Sequence, residues 1–114
     1  MSAETALYSA LSTDAGIIAL VGTRIYPNRV PLGTIYPAIG YSMVSSQKIA
    51  SANCQQSRIQ VDFFDTTYSG AKSVRDAVLA VINGMKNWTY VQGSDIFEDD
   101  TLIHHQNIDV IISH

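Results

Sequence analysis

The chain has 114 residues, 46% of them hydrophobic and only 15% charged, with a formal net charge of −3. That length fits one domain spanning residues 1–114, which buries roughly 65% of its unfolded surface, and the composition excludes a disordered chain. The negative balance, with seven Lys and Arg residues scattered singly, excludes a protein that grips nucleic acid by broad phosphate neutralisation.

Residues 3–12 read as a helix, with Ser2 as N-cap and Ala6, Leu7, Ala10 and Leu11 on one side. Ser12-Thr13-Asp14 interrupts it, and Asp14 caps a second short helix carrying Ile17, Ile18 and Val21, stopped by Gly22. Arg24-Ile25-Tyr26 opens an extended segment. Pro27, Pro31 and Pro37 keep it from being a helix or a central strand. Ala38 to Val44 is rich in aromatic and β-branched residues and reads as strand. Ser45 to Ser57 is a polar stretch, with Gln47, Lys48, Asn53, Gln55 and Gln56, and reads as a long hairpin connection or mobile arm.

Arg58 to Phe63 alternates polar and apolar residues, the period of a half-buried strand. Asp65-Thr66-Thr67 supplies turn and N-cap chemistry. From Tyr68 the period becomes helical, with Ala71, Val74, Val78, Val81, Ile82 and Met85 on one apolar stripe. Asn83-Gly84 marks the helix end. Trp88 to Val91 reads as strand, with Ile96-Phe97 continuing it after the turn-prone Gly93-Ser94-Asp95. Leu102 to Ile112 closes the chain as a strand with Ile108, Val110 and Ile112 on one face. The expected fold is therefore α+β: a single antiparallel or mixed sheet of about five strands, with N-terminal helices and one long central helix packed on it.

No chemistry-bearing motif stands out. His104 and His105 are adjacent on a strand and point to opposite faces, so they cannot readily share one metal ion. Glu98-Asp99-Asp100 with Asp95 lacks the spacing of a calcium loop and reads as a solvated turn able to dock or repel a partner. Cys54 is the sole cysteine, so no intrachain disulfide forms, and no neighbouring base marks it as a nucleophile. Tyr26, Tyr36, Tyr41 and Tyr90 lack the basic interleaving of a base-stacking surface and suit packing instead. The N-terminus has no cationic region, and apolar runs such as Ile17–Val21 are far short of the ~20 residues that span a bilayer, so a cytosolic chain is expected. Neither an enzyme nor a cofactor is indicated. The charged fraction, below the usual ~25%, leans towards an oligomer.

The order of motifs resembles the tail completion proteins of long-tailed bacteriophages, which are related in fold to tail terminators. Leu7-Tyr8-Ser9-Ala10-Leu11 leads into Ala15-Gly16-Ile17-Ile18-Ala19-Leu20-Val21-Gly22. Arg24-Ile25-Tyr26-Pro27 comes next, followed by Pro31, Pro37 and Tyr41. Ile59 to Phe64 precedes Thr67-Tyr68 and Ala71 at the helix start, and the final strand bears Asp109-Val110. The stretch from His104 to Asn107 is less basic than the resemblance leads one to expect.

This resemblance implies a structural virion protein at the head-proximal end of the tail, assembled in the host bacterial cytoplasm. It implies a homo-oligomeric ring, commonly of six subunits, that halts tail-tube polymerisation and joins the tail to the head. Its partners would be the tail tube protein and a head-completion or connector protein, with DNA passing through the lumen without specific binding. Six copies at −3 each carry about −18, which suits a conduit that does not hold DNA. The expected contact residues are Lys48, Ile49, Asn53, Gln55 and Gln56 in the polar stretch, and Glu98, Asp99 and Asp100 in the acidic turn. Another head–tail connector component, such as a head-completion protein, or a small oligomeric binding module is the alternative.

Overall fold

The computed structural model describes residues 3–28, 35–49, 54–98 and 103–113. The N-terminal helix α1 (Ala3–Thr13) buries Ala3, Leu7 and Leu11, one residue per turn along a single stripe. Asp14 then stands in extended conformation and accepts a hydrogen bond from the Ile17 amide at 3.1 Å, capping α2 (Ala15–Val21). Gly22, at a φ of 61°, ends α2 by returning its amide to the Ile18 carbonyl, a turn for which a residue without Cβ is suited.

Strand β1 (Ile25–Pro27) is the edge strand that its prolines require, and it pairs in parallel with β2 (Ala38–Ile49). The Arg24 guanidinium donates to the Pro37 carbonyl at 2.9 Å, holding the start of β1 against the start of β2. β2 continues antiparallel into β3 (Cys54–Asp65). The helix α3 (Tyr68–Asn83) follows at once, its first turn capped by the Thr67 hydroxyl, which accepts from the Gly70 amide at 3.0 Å. β4 (Trp88–Glu98) and β5 (Ile103–Ser113) form a second antiparallel hairpin. The sheet order is β1-β2-β3-β5-β4, so β5 inserts beside β3 and leaves β4 on the outer edge. All pairings but β1–β2 are antiparallel, which makes the sheet mixed.

The helices cover one face. Leu7 and Leu11 of α1, Ile17 and Val21 of α2, and Val74, Val78 and Ile82 of α3 meet Ile39, Ile59, Val61, Phe63, Ile108, Val110 and Ile112 of the sheet. Burying each of these large side chains contributes about 1.5–3 kcal/mol, and together they set the register, because a one-residue slip would turn every apolar side chain outward.

Three expectations are corrected. The stretch from Ser45 to Ser57, expected as a long hairpin connection or mobile arm, is paired strand at residues 45–49 and 54–57. Ser45 pairs with Arg58, Ser46 with Ser57, Gln47 with Gln56, Lys48 with Gln55 and Ile49 with Cys54. Backbone hydrogen bonds hold this ribbon; its exposed side chains carry no periodic signal. Gly93-Ser94-Asp95 does not turn the chain either, and β4 is one strand with a bulge between Tyr90 and Gln92. Gly93 is there for closeness: a Cβ would lie 2.8 Å from the Asn107 carbonyl oxygen. Finally, Met85 lies beyond the end of α3 and is exposed, so it does not extend the apolar stripe.

Candidate functional site

The face of the sheet opposite the helices is polar, and alternation brings its residues together. Arg58, Gln60, Asp62 and Phe64 of β3 lie beside Ile111, Asp109, Asn107 and His105 of β5. The Arg58 guanidinium donates through two nitrogens to one carboxylate oxygen of Asp109, at 2.6 and 3.2 Å. The His105 Nε2 sits 2.9 Å from an Asp62 carboxylate oxygen, which also accepts from the Gln60 amide at 2.9 Å. The Phe64 ring stacks on His105 at 4.4 Å between centroids. The Arg58–Asp109 and Asp62–His105 contacts cross between strands and help lock their position, and the guanidinium–carboxylate bonds are stronger than neutral ones. Their side chains are mostly covered, Asp62 at 13% exposure and His105 at 15%. Where β2, β3 and β5 adjoin, Ser45, Gln47, Gln56, Arg58 and Ile111 line a shallow groove of about 210 Å³.

His104 turns to the helix side, where its ring meets the edge of Tyr68. The two histidines therefore face apart, as adjacent strand residues must. Among the described residues no three His, Cys, Asp or Glu side chains converge as a metal would need, and no helix is long and apolar enough to cross a membrane. Tyr41, buried in the core near Glu4 and Tyr8, has its phenol raised above the usual value, first by burial and then by the Glu4 charge.

The expected contact residues fall at the two ends of the sheet. β3 runs from Gln56, opposite Ser113, to Asp65, opposite His104. Lys48, Ile49, Gln55 and Gln56 therefore lie at one end, and Glu98, opposite Ile103, lies at the other. Asn53, Asp99 and Asp100 lie outside the described residues, as do the side chains of Lys48, Ile49, Cys54 and Glu98. Gln55 is exposed and donates to the Ser46 hydroxyl; Gln56 is half-buried beside the groove. The hairpin residues and the acidic residue are two surfaces, not one site.

Among the described residues, both edges of the sheet carry backbone that no strand pairs. β1 covers β2 only at Ile39, Gly40 and Tyr41, so beyond Tyr41 no described strand pairs with that side of β2. β4 pairs with β5 alone along its eleven residues. The sequence did not reveal these edges, nor the Arg58–Asp109 and Asp62–His105 pairs. The polar half of β3 was legible as a face, but its partners lie more than forty residues away along the chain.

A three-helix layer on one side of a five-stranded mixed sheet whose other side is polar is an α+β domain. The chain belongs to the tail completion protein gp17 family, which it matches over residues 5–113. It is thus a structural protein of the phage tail. Among solved structures it is similar in fold to a chain in the virion of a native gene transfer agent particle. That match has a TM-score of 0.74 and 15% identity, covering 98% of this chain and 93% of the other. Comparison with curated protein sequences finds no match.

Proposed function

We propose that the protein caps the head-proximal end of the tail tube as a ring, ends tube polymerisation and joins tail to head, with no catalytic role. The observation that carries this reading is the family match, which runs through nearly the whole chain. The likeness to a chain of a gene transfer agent virion fits a role in a multi-protein, phage-like particle.

The shape of the subunit suits the role. A ring of identical copies needs two unlike lateral surfaces on each, and the free edges of β2 and β4 are unlike. An adaptor between two structures needs two unlike poles. The Lys48–Gln55 end and the Glu98 end lie at opposite limits of the sheet, one for the tube protein and one for the connector on the head. On the polar face the Arg58 guanidinium is paired with Asp109, so the face lacks the dense cationic lining that would hold DNA passing through a lumen.

The test is the mass of the native protein by light scattering, alone and with purified tail tubes. A hexamer, or a monomer that converts to one on tubes, supports the reading. A stable monomer or dimer indifferent to tubes overturns it and favours a head-side joining protein.

A further inference from the structure

The two free edges of the sheet match each other, and we propose that they form one interface between copies. The Trp88–Gln92 segment of one subunit docks antiparallel on Ser42–Ser46 of the next, placing Tyr90 of one beside Met43 of the other. This inference rests on the ring reading above.

Height comes first. Met43 pairs with Ile59, Ile59 with Val110, and Val110 with Tyr90, so the four form one row across the sheet. The inner two are fully buried under the helices, whereas Met43 and Tyr90 at the ends are 36% and 41% exposed. The neighbouring rows end in Ser42 and Gln92, and in Ser45 and Thr89. A second copy placed sideways, with no shift along the strands, thus brings one apolar row end against the other. A closed ring requires contact without such a shift, whereas a shift generates a helix.

Strand direction also agrees. Along the order β2-β3-β5-β4 every step is antiparallel, so β4 runs opposite to β2, and the added pair is antiparallel too. Composition agrees as well. Exposed edges are usually blunted by Lys, Pro or other charges. Neither Ser42–Gln47 nor Trp88–Ser94 contains a charged residue or a proline, while Lys48, Asp95 and Glu98 lie just outside them. Each segment carries a bulge, between Met43 and Ser45 and between Tyr90 and Gln92. A bulge bends its strand, and the one in β4 falls at the height where a docked β4 has to part from β2 to clear β1. Methionine beside tyrosine gains a sulfur–aromatic contact in addition to area.

Disulfide capture tests this. Facing residues in antiparallel strands are about 4.5–5.5 Å apart between Cα atoms, within the range a disulfide spans. The double variant Met43→Cys, Tyr90→Cys in a Cys54→Ser background is oxidised mildly after its mass is read by light scattering, with tail tubes added if it is monomeric alone. Circular dichroism confirms folding, since both positions are exposed. The expected result is a non-reducing ladder of linked oligomers up to the ring, with single variants linking only when mixed, as dimers. An oligomer of ring mass without the ladder overturns the edge contact and leaves the ring reading standing. Single variants that link to themselves overturn it in favour of two-fold pairing. No oligomer in either condition removes the ring and the contact together.

Discussion

At the scale of single residues, the core contains one group at odds with its surroundings. Gln106 sits on the helix side of β5 at 1% exposure, and among the described residues neither its amide nitrogen nor its oxygen has a hydrogen-bond partner. An unpaired buried amide costs about 1–3 kcal/mol. Gln106→Met keeps the volume and removes the polar atoms, so it is expected to raise stability by about that amount, read as a higher urea midpoint at unchanged m-value. A lower midpoint would show that the amide is satisfied in solution. Tyr41 gives a second residue-scale expectation. Its folded pKa lies above the unfolded value, because burial and the Glu4 charge disfavour the phenolate. The folded state therefore holds the proton after the unfolded chain releases it. That contribution is complete below about pH 10 and is lost as pH rises through the folded pKa. Tyr41→Phe should flatten the alkaline fall in stability in a pH series of melts, and an unchanged alkaline limb would refute the assignment.

At the scale of elements, β4 and β5 are bound by a close approach that a glycine permits. A Cβ at position 93 would meet the Asn107 carbonyl at 2.8 Å, the Tyr90 hydroxyl at 3.1 Å and an Ile108 methyl at 3.3 Å. The nearest of these is backbone in the middle of a ladder and cannot move without breaking it. Gly93→Ala is expected to destabilise by about 1–3 kcal/mol, as overpacking does, and a urea midpoint within error of the parent would contradict it. The same glycine explains what sequence reading could and could not recover. Gly93-Ser94-Asp95 is turn chemistry by composition, and only the partner strand shows that the glycine serves proximity. Elements with one buried face were legible, because burial imposes a period: Val74, Val78 and Ile82 at helical spacing, Ile59, Val61 and Phe63 at every second residue. The caps Asp14 and Thr67 were legible for the same local reason. The ribbon at Ser45–Gln47 and Gln55–Gln56 buries neither face deeply, so nothing in its side chains declares it a strand. Both edges were hidden too, since edge status depends on the sheet order, which inserts β5 between β3 and β4.

At the scale of the whole molecule, the subunit is drawn out to 46 × 28 × 21 Å, and its hairpin at the Lys48–Gln55 end is separable from what keeps it folded. Among the described residues, no member of the hydrophobic core lies between 48 and 55. Gln47 and Gln56 face each other across the ladder, so a two-residue Asn-Gly turn can join them after residues 48–55 are removed. The deletion costs the last two ladder pairs, Lys48 with Gln55 and Ile49 with Cys54, and leaves the pairing of β3 with β5 whole. The shortened monomer should therefore keep its circular dichroism spectrum and melt within about 5 °C of the parent, a change near 1 kcal/mol for a domain of this size. If the hairpin is the pole that engages tube or head, this folded variant fails to join tails to heads, and mixing it with tail-completion-deficient particles yields no infectious phage. Infectious particles from the deletion would show that joining runs through other surfaces. A variant that unfolds would show instead that the ribbon is part of the structural frame, and the contact residues assigned there would lose their support.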